Sequence, residues 1–80
     1  MRARLGDLVA ALGGSLTGDP ALMVDAIAPL DRAGPTHITF LAQARFLPQL
    51  VLTGAACVVV RPEHGPAAAA RGAAIFTADP

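Results

Sequence analysis

Eighty residues, 54% of them hydrophobic and 15% charged, make one packed domain and exclude a disordered chain. Six arginines balance six acidic residues, lysine is absent and no basic stripe forms, which argues against nucleic acid as a partner. The most apolar uncharged stretch, around 47–60, is interrupted by Pro48, Gln49, Thr53 and Gly54 and falls short of the roughly 18 apolar residues of a membrane span. The run Leu8–Leu12 is too short for a signal peptide.

In chain order, Leu5, Leu8, Val9 and Leu12 recur at the spacing of one apolar helix face, and Gly13-Gly14 supplies a left-handed stop. No Ser, Thr, Asp or Asn stands just before Leu5, so the start of this helix is left open. Ser15–Thr17 reads as a short strand ended by the turn Gly18-Asp19-Pro20. Val24, Ala26 and Ala28 alternate with Asp25 and Ile27, and Pro29 closes the stretch, which predicts an edge or first strand. Asp31–Pro35 reads as a loop and Ile38–Leu41 as a strand. Pro48–Leu52 then reads as a short helix with Gly54 after its end. The β-branched run within Ala55–Arg61 fits a strand buried on both faces. Pro66 opens a helix over Ala67–Arg71, Gly72 ends it, and Ala74–Thr77 forms a last strand.

Strand, helix, strand, helix, strand in the second half predicts an α/β fold. Its sheet is small, mixed and largely parallel, with right-handed crossovers and short helices packed on it. Residues 1–80 form a single domain, and its abrupt close at Asp79-Pro80 after a strand is expected of a domain cut from something longer.

Little chemistry is visible along the chain. Cys57, the only cysteine, sits in an apolar run and reads as a small buried hydrophobe. His37 and His64 are isolated, with no ligand spacing around them, and read as surface or capping residues; no metal or cofactor is expected. Ser15 lies outside any nucleophile elbow, and the carboxylates are scattered, so no catalytic residue is assigned.

Phe40 and Phe46 stand six positions apart, with Gln43 midway between them. A turn could set the two rings across a slot, with an amide at its edge, suited to a flat heteroaromatic ring. Equally, both rings could fill the core. On chemistry alone both readings stand, and exposure of the rings decides between them.

Ile27-Ala28-Pro29-Leu30-Asp31-Arg32-Ala33-Gly34-Pro35, then Ile38-Thr39-Phe40-Leu41-Ala42, then Arg45-Phe46-Leu47-Pro48-Gln49-Leu50 resembles the N-terminal domain of the UDP-3-O-acylglucosamine N-acyltransferases of bacterial lipid A (lipopolysaccharide) biosynthesis. The resemblance extends to the Leu5–Leu12 helix with its glycines, the Thr17-Gly18-Asp19-Pro20 turn, the Val58–Val60 strand and the closing Asp79-Pro80. It implies a fold similar to the Mur ligase N-terminal domain and a uridine-binding role. The base would be stacked between Phe40 and Phe46, with Gln43 reading its edge. Phe46 stands where the family usually has tyrosine, and Gln43 where it usually has asparagine. Arg45 falls at a commonly basic position, open to a phosphate contact or to a solvated surface role.

The resemblance further implies a cytoplasmic enzyme acting on UDP-acylglucosamine. Its catalytic histidine, acyl carrier protein contacts and homotrimer interface belong to a hexapeptide-repeat domain outside this chain, so neither His37 nor His64 inherits the catalytic role. Two alternatives remain. One is the UDP-binding domain of a Mur ligase, whose D-S-R…P-G-x-x-F phrase is replaced here by Leu30-Asp31-Arg32-Ala33-Gly34-Pro35. The other is a structural module without a ligand.

Overall fold

The computed structural model describes residues 2–41 and 43–78; Ala42 of the Phe40-Leu41-Ala42 phrase and the closing Asp79-Pro80 lie outside the described residues. The chain runs β1 (Ala3–Arg4), α1 (Leu5–Leu12), β2 (Ser15–Thr17), β3 (Met23–Val24), β4 (Ala26–Ile27) and β5 (His37–Phe40). It continues through α2 (Leu47–Leu52), β6 (Cys57–Val60), α3 (Gly65–Arg71) and β7 (Ala73–Phe76), with 3-10 turns at Ala44–Phe46 and Pro62–His64. Five strands form one sheet in the order β2-β7-β6-β5-β4. Strands β4 to β7 are parallel, and β2 runs antiparallel to β7. This is the mixed, mostly parallel α/β sheet that the strand–helix alternation predicts.

Helix α1 begins without a side-chain cap because neighbouring backbone does the capping. The N–H groups of Leu5 and Gly6 donate to the Leu22 and Pro20 carbonyls, both at 2.9 Å, satisfying donors that a helix start otherwise leaves unpaired. The Pro20 approach depends on Gly6, where a Cβ would lie 3.1 Å from the proline Cβ. The helix ends as the double glycine predicts: Gly13 is left-handed at φ 77°, and its N–H donates to the Val9 carbonyl at 2.9 Å.

The alternating stretch 24–28 is divided between two sheets. Val24 pairs with Ala3 in the small β1–β3 ribbon, whereas Ala26 pairs with His37 in the main sheet. Asp25 makes the changeover, its N–H donating to the Thr36 carbonyl at 2.9 Å. An alternating pattern reports which face is buried but not which neighbour each half pairs with. Strand β4 does lie at the sheet edge, in keeping with the proline that follows it, and Ile27 is 64% exposed there.

At the centre, all four residues of β6 are fully buried. Cys57 and Val59 face the core shared with α1, and Val58 and Val60 face the core shared with α2 and α3. The sheet is thus covered on both faces, the arrangement that a β-branched run without polar alternation requires. Helices α2 and α3, at six and seven residues, are shorter than an isolated helix can sustain in water. Burial of Leu50 and Ala68 against the sheet holds them, and Pro48 and Pro66 pre-set their first turns.

Candidate functional site

Phe40 is the last residue of β5, and its ring packs beside the core on the α1 side of the sheet. Phe46 closes the 3-10 turn that follows and packs against the core on the α2–α3 side. The Phe46 N–H donates to the Gln43 carbonyl at 3.0 Å, a turn that folds the chain back after β5. The two rings therefore come from opposite layers and meet where the sheet ends. There both line one cavity of about 310 Å³, together with Pro29, Leu30, Asp31 and Gln49.

Neither ring is fully buried; each is half-buried. Each ring packs against a core cluster with part of its surface and keeps the rest free, so a slot and a core role both remain open to it. The cavity lies at the carboxyl ends of β4 and β5, the end of parallel strands where α/β sheets commonly hold ligands. Its volume is at the lower limit for small-molecule pockets, suited to a single ring rather than a whole nucleotide sugar.

Gln43 is exposed and is not among the residues lining this cavity. The glutamine among the lining residues is Gln49, in the first turn of α2. A helix starting at 47 sets residue 49 three positions after Phe46, within reach of the same side. Asp31 is the lining residue that carries a charge, and it enters from the loop after β4. That loop is tightened by the Arg32 and Ala33 N–H groups, both donating to the Pro29 carbonyl, at 3.0 and 2.9 Å. Arg45 is exposed, its guanidinium carbon 4.8 Å from the Phe46 ring centroid. A cation over a ring face adds about 0.5–1 kcal/mol at such a site and helps hold the ring's orientation.

The other candidate residues stand apart from this cavity. Nδ1 of His37 accepts a hydrogen bond from the Gly34 N–H at 2.8 Å, a capping role that ties the 31–35 loop to β5. His64 ends the second 3-10 turn, half-buried. Cys57 is fully buried, as its apolar run predicts, and burial pushes its thiol from 9.0 up to about 11; the Arg71 charge and the backbone at Ile75 pull weakly the other way. A thiol held protonated in this way is no nucleophile at neutral pH. Among the described residues, no group of three or more His, Cys, Asp and Glu side chains gathers to hold a metal ion, and no helix is long and apolar enough to cross a membrane.

Residues 21–80 match the family model described as UDP-3-O-(3-hydroxymyristoyl) glucosamine N-acyltransferase, LpxD. The chain belongs to the LpxD family. Among its relatives, the UDP-3-O-acylglucosamine N-acyltransferase of Leptothrix cholodnii is 51% identical over 80 residues, covering 100% of this chain and 23% of the relative. Proteins of the same name from Albidiferax ferrireducens and Delftia acidovorans are 44% and 43% identical, again over 100% of this chain and 24% of each relative. This LpxD-family chain therefore spans about a quarter of the length of those relatives, at their N-terminal part.

Proposed function

We propose that this LpxD-family domain holds the uracil ring of a UDP-acylglucosamine for an N-acyltransferase of lipid A biosynthesis working in the cytoplasm. The observation that carries the reading is the presence of Phe40 and Phe46, both half-buried, in one cavity at the carboxyl ends of parallel strands. The rings offer π-faces to a flat base, and the aliphatic lining from Pro29 and Leu30 excludes water around it. In this reading acyl transfer, acyl carrier protein binding and trimer contacts belong to the three quarters of the relatives' length outside this chain. The chain's own contribution is to anchor the substrate by the end remote from the reacting amine, so that remote binding energy goes into orientation.

The affinity of the chain alone follows from the contacts. Stacking gives about 1–3 kcal/mol per base, and one neutral amide contact adds roughly 1 kcal/mol. The total barely reaches the roughly 4.1 kcal/mol of a millimolar complex. Titration of the chain with UMP, followed by NMR, is therefore expected to shift the signals of Phe40 and Phe46 with a Kd of roughly 1 mM or weaker. Phe40→Ala is expected to abolish those shifts. Absence of any response at these residues with UMP at tens of times that concentration would sink the reading.

A further inference from the structure

Strands β4 and β5 are parallel neighbours, yet only residues 28–36 join them, nine where such a crossover ordinarily takes a dozen or more and a helix. The connection has little slack. It leaves the carboxyl end of β4, where Pro29, Leu30 and Asp31 line the cavity, and returns to the amino end of β5. Backbone holds most of it. The Ala28 N–H donates to the Ile38 carbonyl at 3.1 Å, the Arg32 and Ala33 N–H groups to the Pro29 carbonyl, and the Asp25 N–H to the Thr36 carbonyl at 2.9 Å. At Gly34 a side chain takes over: its N–H donates to Nδ1 of His37 at 2.8 Å, and the His37 N–H donates back to the Gly34 carbonyl at 3.0 Å.

Resting on the base-binding reading of this cavity, we infer that His37 is a positioning residue for it. The imidazole fastens the far end of the crossover to β5 and thereby fixes the wall at Pro29–Asp31 against which the ring is held. His37 is not among the lining residues and touches no ligand in this reading.

Its place in the sheet suits that task. His37 opens β5, pairs with Ala26 on one side, and on the other its carbonyl accepts the Ala56 N–H at 2.9 Å, so the ring is borne on fixed backbone. An accepting Nδ1 leaves the proton of the neutral imidazole on Nε2. The wall is drawn inward by Leu30, which is buried in the core, and His37 adds the hold at the other end. Without that acceptor the half-buried Gly34 N–H loses its partner, and the crossover gains freedom that a bound ring must remove again.

The test compares His37→Leu with His37→Asn in uridine titrations followed by NMR, at a temperature where circular dichroism shows the variants folded. Leucine fills the space and accepts nothing, whereas the asparagine Oδ1 is an acceptor as many bonds from Cα as Nδ1. His37→Leu is expected to weaken uridine about three- to tenfold, and His37→Asn to stay within about twofold of the parent chain. A second measurement needs no variant to fold. Coupling is reciprocal, so high uridine should slow hydrogen exchange of the Gly34 amide in the parent by a similar factor of about three to ten. The inference is overturned if folded His37→Leu binds uridine as the parent does, if His37→Asn weakens it as much as leucine, or if uridine leaves Gly34 exchange unchanged. In each of these cases loss of binding in Phe40→Ala still upholds the base-binding reading. A parent chain that does not bind uridine overturns both.

Discussion

Replacing Leu50 by alanine tests whether the cavity depends on the docking of α2. Leu50 is the one buried residue of that helix, with no measurable exposure, and it packs with Leu30, Leu41, Ala55 and Val58. The helix has six residues and no side-chain N-cap, so little else holds it in place. A buried leucine truncated to alanine costs about 3–4 kcal/mol, the lost transfer energy plus the cavity left behind. At roughly 0.05–0.15 kcal/mol per residue, an 80-residue domain has only about 4–12 kcal/mol in all. Urea unfolding followed by circular dichroism should therefore lose about 3–4 M of midpoint, given a slope near 1 kcal/mol/M, with the slope itself unchanged. Since α2 carries Gln49 and follows directly on Phe46, uridine shifts should weaken even where the variant remains folded. A loss below about 1 kcal/mol would mean that α2 does not rest on Leu50, and the reasoning would fail.

The buried thiol makes stability fall in alkali. The unfolded chain ionises its cysteine near 9.0, while the folded chain resists until about 11, so the unfolded state sheds its proton first. Stability is complete below about pH 9 and declines through pH 11, by roughly 2–3 kcal/mol in total at 1.36 kcal/mol per unit. Cys57→Ala should flatten that part of a stability–pH curve, and a parent curve already flat there would refute the assignment. Arg71 donates from its guanidinium to the Ala55 carbonyl and lowers the Cys57 thiol. Arg71→Met should therefore cost about 1.5–3 kcal/mol in a denaturant melt and move the thiol titration further up. A Cβ on Gly14 would be driven into the Phe76 carbonyl oxygen, so Gly14→Ala should push β2 off β7. At about 1–3 kcal/mol the melting temperature would drop by roughly 5–20 °C, readable by calorimetry.

Much of this fold is written in short local patterns. The Cys57–Val60 run could only be a strand covered on both sides, and the Leu5, Leu8, Val9 stripe with Gly13 could only be a helix with a left-handed end. Ala3–Arg4 carries no pattern at all, because two residues cannot display a period, and β1 is defined by its partners Met23 and Val24. The division at Asp25 is hidden for the same reason: pairing partners come from tertiary structure. At the candidate site, the aromatic pair is legible as a pair, and both rings do reach one cavity. That Gln49 also lines the cavity is not legible. It depends on where the 3-10 turn over Ala44–Phe46 gives way to the helix at Leu47, a shift of the chain axis that fixed spacing does not encode.

The origin of the two rings in opposite layers has a mutational consequence. The sheet separates two packed half-cores, and a change in one is ordinarily silent in the other. In the proposed reading, a ring seated between Phe40 and Phe46 would touch both, as a rivet joins two plates. Core substitutions around Val24 on one side and around Leu50 on the other should then report to a single binding constant, although no contact between those two residues carries the message.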